Sequence, residues 1–263
     1  MSTSSSTTGL HVEVVGHGPP LVLLHGWAMH GGVFAPLVER LRDRHTLHVV
    51  DLPGHGRSRH TTVPLQIEAC TAAIAAMVPV APWCGWSLGG LVALHAAASR
   101  PSQVPALAML CASPRFVRGE DWPHGVSAEI FHDFATGLRS DYRATLERFI
   151  ALEAFGSEHA REEIRCLRDD LFVHGEPAAS VLADGLALLE SVDLRDVLPA
   201  LAVPSLWIAG RRDRLVDPRA MAAAVAITPA ARFERVDHAG HAPFLTHADV
   251  VAALLSAFTG DIA

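Results

Sequence analysis

The chain has 263 residues, of which 50% are hydrophobic, and its 21 basic and 28 acidic residues give a formal net charge of −7. This length and apolar content suffice for one α/β domain whose sheet is buried on both faces. The acidic balance, without a basic run, argues against nucleic acid as a partner, and no run of about 18 apolar residues predicts a membrane-spanning helix.

Strand-like and helix-like segments alternate along most of the chain. The predicted strands lie near residues 11–15, 21–24, 47–50, 81–86, 105–111, 204–209 and 232–236. The predicted helices that alternate with them lie near residues 34–42, 65–78, 88–99, 218–226 and 247–258. This alternation predicts an α/β fold with a mostly parallel, doubly wound sheet.

One long segment interrupts this alternation, because it carries helix-like patterns without any strand. Its four predicted helices are 127–138, 142–154, 158–172 and 178–191. An insertion of this kind at the rim of a sheet forms a cap that excludes water and shapes a pocket. We therefore predict a core made of residues 10–111 and 192–263, with residues 112–191 as a helical cap inserted between two core strands.

Residues 1–9 are rich in serine and threonine and lack the basic and apolar regions of a secretory signal, so we expect a disordered leader. The cysteines at positions 70, 84, 111 and 166 form no CxxC pair. This favours reduced thiols in a cytoplasmic protein over disulfides or a zinc site. All the basic residues are arginines, which excludes Schiff-base chemistry at lysine. We expect neither a metal nor a cofactor.

The segment from Gly85 to Gly89 (GWSLG) matches the pattern G-x-S-x-G. An apolar stretch precedes it and a helix of small residues follows it. A strand–turn–helix of this kind holds the serine on a strained turn, with its hydroxyl clear of the sheet edge. Glycines flank the turn because side chains there would clash with the neighbouring strand and helix. The pattern predicts Ser87 as a nucleophile.

In this arrangement an acid and then a histidine follow the serine along the chain. Asp213 comes directly after a predicted strand, whereas Asp217 precedes a proline and resembles the N-cap of the next helix. His241 lies in a turn of small residues that can aim an imidazole at the serine, whereas His238 lies closer to its strand and can serve as a loop hydrogen bonder. The pattern favours Asp213 and His241 over these alternatives.

Two backbone N–H groups are candidates for an oxyanion hole. One belongs to Leu88, the residue after the nucleophile, and the other to the loop His25-Gly26-Trp27 that follows the predicted strand 21–24. We interpret His25 as a residue that shapes this loop through hydrogen bonds. The turn-rich segment 51–58 is interpreted as scaffolding beside the site.

From about residue 10 onward the chain resembles the α/β-hydrolase superfamily and, within it, the pimeloyl-[acyl-carrier protein] methyl ester esterases of biotin synthesis. The matching segments are residues 25–27, 85–93, 112–116, 121–123, 147–149, 192–195 and 240–244. The resemblance implies a catalytic triad of Ser87, Asp213 and His241. It also implies Trp27 and Leu88 as oxyanion donors and Phe149 as a substrate contact.

The same resemblance implies an acyl-carrier-protein-bound methyl ester as substrate and cap arginines that meet the carrier. Arg148, Arg161 and Arg165 match the family positions, while the fourth position falls on Ala144 with Arg143 displaced by one residue. The alternative is that these arginines are solvated helix charges paired with neighbouring glutamates. We expect a monomer that touches neither a membrane nor nucleic acid.

Other functions fit the same motifs, because a fold and a triad do not fix the substrate. A broad carboxylesterase, a carbon–carbon bond hydrolase and a cofactor-free peroxidase are the enzymatic alternatives. A non-catalytic sensor or binding protein that keeps the hydrolase shell is the alternative of another class.

Overall fold

The computed structural model describes residues 9–261, and a seven-stranded sheet forms the centre of this part of the chain. The strands are β1 (Val12–Gly16), β2 (Pro20–Leu24), β3 (Thr46–Val50), β4 (Trp83–Trp86), β5 (Leu107–Leu110), β6 (Ser205–Gly210) and β7 (Ala231–Val236). Their spatial order is β1-β3-β2-β4-β5-β6-β7, in which β1 and β3 are antiparallel and all the other neighbours are parallel. The predicted mostly parallel sheet is confirmed.

The helices surround this sheet and build the segment between β5 and β6. They are α1 (Ala35–Leu41), α2 (Ile67–Ala75), α3 (Leu88–Ser99), α4 (Ala128–Ser140), α5 (Tyr142–Glu153), α6 (Ala160–Leu171), α7 (Ala179–Ser191), α8 (Pro218–Ala226), α9 (Pro243–Thr246) and α10 (Ala248–Gly260). Among the helices within residues 9–261, none has the length and apolarity needed to cross a bilayer.

Most predicted elements agree with the structure to within a few residues. Helix α2 is shorter than the predicted 65–78, because Gln66 is extended and the helix starts only at Ile67. Strand β4 starts at Trp83 rather than at residue 81, because Pro82 has no N–H to give to a sheet. Helix α9 was not predicted, since a single turn that opens on a proline shows no periodicity.

The central strands are buried on both faces, as their continuous apolar sequences require. Every residue of β4, β5 and β6 is buried, and each buried Leu or Val side chain stabilises the fold by about 1.5–3 kcal/mol relative to its exposed state. Helix α3 packs against this layer and is apolar nearly all round, as a helix inside a core has to be. The sheet and α3 therefore form a rigid layer that supports the residues at the carboxyl ends of the strands.

Helices α4 to α7 lie between β5 and β6, and the two ends of this segment are joined. Arg115 and Asp193 form a backbone bridge, and Arg195 pairs with Asp193 at 2.7 Å and with Asp121 at 2.9 Å. The division into core and cap at residues 112 and 191 stays a prediction. The predicted disordered leader lies outside the described residues except for Gly9.

Candidate active site

Ser87 lies on a strained turn between β4 and α3. Its backbone angles are φ 54° and ψ −118°, a conformation that residues with a side chain rarely adopt, and its N–H donates to Leu110 O at 3.2 Å. Such strain persists only where the surrounding structure holds it, and it is frequent at active sites. The turn presents the Ser87 side chain at the carboxyl end of β4, where the sequence pattern predicts the nucleophile.

The glycines of the pentapeptide are required by close packing. A Cβ atom on Gly85 would lie 2.2 Å from the carbonyl oxygen of Gly89, and a Cβ on Gly89 would lie 2.4 Å from that of Leu24. Backbone atoms occupy both places, so no side chain can be accommodated without moving β2 or α3. Steric exclusion by the neighbouring backbone thus explains why both flanking positions of the G-x-S-x-G pattern are glycine in this fold.

Asp213 and His241 form a hydrogen-bonded pair with both side chains fully buried. His241 Nδ1 lies 2.8 Å from Asp213 Oδ2, while Asp213 Oδ1 accepts from the backbone N–H groups of Leu215 and Val216. With Nδ1 donating to the carboxylate, Nε2 of the neutral ring is an acceptor. Nε2 is buried and has no hydrogen-bond partner within residues 9–261, so this nitrogen is available to take a proton.

The two alternative residues have other partners. Asp217 accepts from Arg219 N at 2.8 Å and is the N-cap of α8, as its position before a proline predicts. His238 is 55% exposed, and its Nδ1 lies 2.9 Å from the carboxylate of Glu158. The structure therefore brings Asp213 and His241 together and places Asp217 and His238 elsewhere.

Leu88 and Trp27, the predicted oxyanion donors, lie at the ends of neighbouring strands. Leu88 is the first residue of α3, where backbone N–H groups have no partner inside the helix and the helix dipole favours negative charge. Trp27 follows β2 and is fully buried, and its Nε1 donates to Leu182 O of α7 at 2.8 Å. The loop that carries one predicted donor is thus hydrogen-bonded to α7, in the segment between β5 and β6.

An aromatic cluster from α4 and α5 packs against Trp27. The ring of Phe149 lies 4.5 Å from that of Trp27 and 5.5 Å from that of Phe134, with edge-to-face geometry in both pairs. Phe149 is 2% exposed. The cluster gives the predicted substrate contact an apolar, rigid surrounding suited to methylene groups.

His25 has the role that the sequence suggested for it. Its Nδ1 lies 2.7 Å from Gly26 O, and its Nε2 accepts from Leu52 N at 2.8 Å, which is the pattern of a neutral ring. Burial is the main cause and the nearby His55 the second cause that lowers the pKa of His25 to about 3. Asp51 fixes the neighbouring loop by accepting from the N–H groups of Gly31 and Arg57.

Several buried polar groups near His241 were not predicted from the sequence as part of the site. Cys111 receives an N–H from Gly210 and brings its thiol within 4.8 Å of the Asp213–His241 pair, and burial raises its pKa well above the usual range. Glu153 of α5 and Glu163 of α6 are also buried. Each of the two glutamates continues the apolar stripe of its helix, which is the signal that could have revealed them.

The predicted docking arginines lie on α5 and α6 with exposed side chains. Arg143 forms an ion pair with Glu176 and lies 4.8 Å from the ring of Phe172. Arg148 lies 5.6 Å from the ring of Phe134, at the edge of the aromatic cluster. Arg161 and Arg165 are one turn apart on α6. Their role in docking stays a prediction.

Comparison with known proteins identifies the family. The alpha/beta hydrolase fold family matches residues 19–248. A protein named pimeloyl-[acyl-carrier protein] methyl ester esterase from Stenotrophomonas maltophilia (strain K279a) is 60% identical over 95% of this chain and 96% of the relative. A protein of the same name from Xanthomonas campestris pv. campestris (strain B100) is 61% identical over 95% of this chain and 98% of the relative. The resemblance seen in the sequence is confirmed.

Solved structures with this fold are more distant in sequence. An esterase from Exiguobacterium antarcticum matches with a TM-score of 0.84 at 21% identity, covering 95% of each chain. A bromoperoxidase from Bacillus anthracis matches with a TM-score of 0.85 at 20% identity, covering 95% of this chain and 94% of the other. At these identities the likeness shows the fold alone.

Proposed function

The chain belongs to the alpha/beta hydrolase fold family and, within it, to the pimeloyl-[acyl-carrier protein] methyl ester esterases, and on this basis we propose that it hydrolyses the methyl ester of pimeloyl-[acyl-carrier protein]. The products are pimeloyl-[acyl-carrier protein] and methanol, in a step of biotin synthesis. The observation that carries the proposal is the buried 2.8 Å contact between His241 and Asp213 at the sheet edge where Ser87 is strained.

The reaction begins with a proton transfer from Ser87 Oγ to His241 Nε2. The serine oxygen attacks the ester carbonyl, and the resulting oxyanion accepts hydrogen bonds from the N–H groups of Leu88 and Trp27. Collapse of this intermediate breaks the bond to the methoxy group. The methoxy oxygen takes the proton from His241 and leaves as methanol, so that the pimeloyl group remains esterified to Ser87.

Water completes the cycle by the same path. His241 takes a proton from the water molecule, whose oxygen attacks the acyl-enzyme, and the second oxyanion uses the same two donors. His241 then returns the proton to Ser87 Oγ, and the free carboxyl group leaves. Throughout the cycle, Asp213 keeps the ring in the tautomer that donates from Nδ1 and stabilises the imidazolium.

The cap supports recognition of a carrier-bound acyl chain. Phe149 and its aromatic neighbours offer apolar surface to the methylene groups, while the arginines of α5 and α6 offer guanidinium groups to an acidic carrier. Arg161 and Arg165 have no salt-bridge partner in the part of the chain that the structure describes. We therefore assign them, with Arg143 and Arg148, to the docking surface. The proposal includes a monomer in the cytoplasm, which agrees with four free cysteines.

The test compares kcat/KM for methyl pimeloyl-carrier protein and for free dimethyl pimelate. We expect the carrier substrate to be preferred on the order of tenfold or more, because docking adds steering and contact energy. The double variant Arg161→Glu, Arg165→Glu is expected to lose this preference and to keep its activity on the diester. Arg100→Glu is the control, since Arg100 ends α3 at the end opposite Ser87.

Equal rates on both substrates would indicate a broad carboxylesterase instead. A genetic test is independent of the kinetics: the gene is expected to restore growth without biotin in a strain that lacks the esterase step. Failure of that rescue with well-expressed, folded protein would contradict the assigned substrate.

A further inference from the structure

Glu163 is a fully buried acidic residue of the cap whose carboxylate is held beside the loop that carries His241. Its Oε1 accepts from Ser157 Oγ at 2.7 Å and from Thr246 Oγ1 at 3.0 Å. Thr246 is the last residue of α9, the helix that begins two residues after His241. The carboxylate therefore bridges the cap and the histidine loop.

The second oxygen of Glu163 faces the same loop. Oε2 is buried without a hydrogen-bond partner within the described chain, and a Cβ built on Gly240 would lie 3.5 Å from it. Gly240 directly precedes His241. A carboxylate in this position places negative charge beside the backbone that leads into His241, on the side of α6.

Glu153 is a second buried carboxyl group beside the loop. Its backbone carbonyl accepts from His241 N at 3.3 Å, and neither of its carboxyl oxygens has a partner among residues 9–261. Burial, and then the charges of Asp213 and Glu163, raise its pKa well above the usual range. Burial therefore favours the neutral form of this group.

Glu163 differs from Glu153 because it has hydrogen-bond donors. Burial raises its pKa as well, but the hydroxyl groups of Ser157 and Thr246 and the positive charges of His159 and His241 oppose that rise. The two hydroxyl donors thus favour the carboxylate form of Glu163, and the carboxyl group of Glu153 has no such donors within residues 9–261.

We propose that Glu163 is a positioning residue whose carboxylate, held by Ser157 and Thr246 against the histidine loop, stabilises the protonated form of His241 alongside Asp213. The proposal rests on the proposed function, in which His241 is the base. Transfer of the serine proton creates an imidazolium in a buried site, and a second nearby carboxylate lowers the free energy of that state. The predicted cap then has two roles: it covers the site, and through Glu163 it places a negative charge near His241.

Other titratable groups face the two side chains and have to be kept constant. Asp213 and Cys111 lie beside His241 in the core, and the backbone carbonyl of Glu153 in α5 accepts from His241 N. His159 and His247 face Glu163, with their rings 5.5 Å apart and with His247 Nδ1 3.0 Å from Thr246 Oγ1. For this reason the test compares variants of single groups rather than interpreting one profile alone.

The experiment measures kcat/KM against pH with a short p-nitrophenyl ester for the parent, Glu163→Gln and Asp169→Asn. Glutamine keeps the shape and an acceptor for the two hydroxyl groups but removes the charge. We expect the midpoint of the acid limb to move to lower pH by on the order of half a unit or more in Glu163→Gln. Asp169→Asn removes an exposed charge from the same helix and is expected to leave the midpoint in place. An unchanged midpoint in Glu163→Gln would overturn the proposal.

Two further variants keep the test decisive. Should Glu163→Gln fail to fold, Thr246→Val removes one donor at similar volume, and its midpoint is expected to move in the same direction by less. Burial disfavours the charged form of Glu153, so Glu153→Gln is expected to leave the midpoint in place. A shift in Glu153→Gln without one in Glu163→Gln would place the charge on Glu153 and overturn the proposal. The short ester involves neither carrier nor pimelate, so an error in the assigned substrate would leave these results unaffected.

Discussion

The indole N–H of Trp86 donates a hydrogen bond of 2.8 Å to the backbone carbonyl of His241. Trp86 is the last residue of β4 and directly precedes Ser87, so one side chain links the strand before Ser87 to the loop that carries His241. Its ring packs against those of Phe34 and Phe244. The core therefore fixes the position of the His241 loop relative to β4, in addition to the contacts that this loop makes with α5 and α6.

Trp86→Phe is expected to lower kcat on a short ester on the order of tenfold, with little change in KM. The substitution leaves the buried carbonyl of His241 unpaired, which costs about 1–3 kcal/mol and loosens the loop. Trp83→Phe is a matched control on the same strand, because the indole nitrogen of Trp83 is buried without a partner in residues 9–261. Steady-state kinetics and urea unfolding of both variants check the prediction. Equal losses of kcat would show that only ring volume matters.

The predicted triad can be tested against the two alternative residues, Asp217 and His238. Ser87→Ala and His241→Gln are expected to lose turnover on the order of 10⁶-fold, and Asp213→Asn on the order of 10⁴-fold, as in other triads that act as a unit. Asp217→Asn and His238→Gln change the alternative residues and are expected to keep kcat within about threefold, since the former perturbs only a helix cap and the latter a surface contact. Pre-steady-state bursts and labelling of Ser87 by a fluorophosphonate provide the measurement. Comparable losses in Asp213→Asn and Asp217→Asn would contradict the assignment.

Local signals in the sequence account for most of what was predicted. The G-x-S-x-G turn and the proline after Asp217 each act within a few residues, and the structure shows the strained turn and the helix cap that they indicate. The apolar runs of the central strands predict the buried sheet, because each run is also a signal confined to a few neighbouring residues. Short-range patterns of this kind depend on backbone geometry that neighbouring residues determine.

The burial of Glu153 and Glu163 could not be predicted from the sequence. Glu153 and Glu163 are ordinary helix residues until α5 and α6 fold over the histidine loop, and their burial depends on contacts with residues about 80 positions later, such as that between Glu163 and Thr246. The bond between Trp27 and Leu182 is similarly long-range. A periodic pattern identifies the buried face of a helix but not the surface that covers it.

Glu153 should make the stability of the protein depend on pH. A carboxyl group whose pKa is raised by folding contributes stability at low pH that is lost as the pH rises through its folded-state pKa. Glu153→Gln removes this dependence. We therefore expect its stability relative to the parent to increase from pH 5 to pH 8, by up to about 1.4 kcal/mol per pH unit.

Urea unfolding at the two pH values measures this difference. Glu147→Gln is the matched control, because Glu147 is an exposed glutamate on the same helix. Its stability relative to the parent is expected to stay nearly constant between the two conditions. A relative stability of Glu153→Gln that is the same at pH 5 and pH 8 would show that the buried carboxyl group is ionised in the folded protein or has access to water.

Gly185 of α7 lies against the side chain of Trp27. A Cβ at this position would lie 2.6 Å from Trp27 Cδ1 and 3.0 Å from its Nε1, so Gly185→Ala has to move the indole or the helix. Because the backbone N–H of Trp27 is a predicted oxyanion donor, a shift of its loop should weaken transition-state stabilisation. We expect kcat on a short ester to fall on the order of tenfold with KM nearly unchanged, which is less than the loss of a complete donor.

Gly137→Ala separates this effect from a general disturbance of the cap. A Cβ on Gly137 would lie 2.4 Å from Thr145 Oγ1, so the variant is as crowded as Gly185→Ala but its contact joins α4 to α5 and does not involve Trp27. Its kcat is expected to stay within about threefold of the parent, since an overpacked contact of about 1–3 kcal/mol affects folding and not the donor. Thermal unfolding of both variants ensures that folded protein is compared. A similar loss of kcat in both variants would mean that the cap acts on the site as a whole and that Trp27 does not transmit the change.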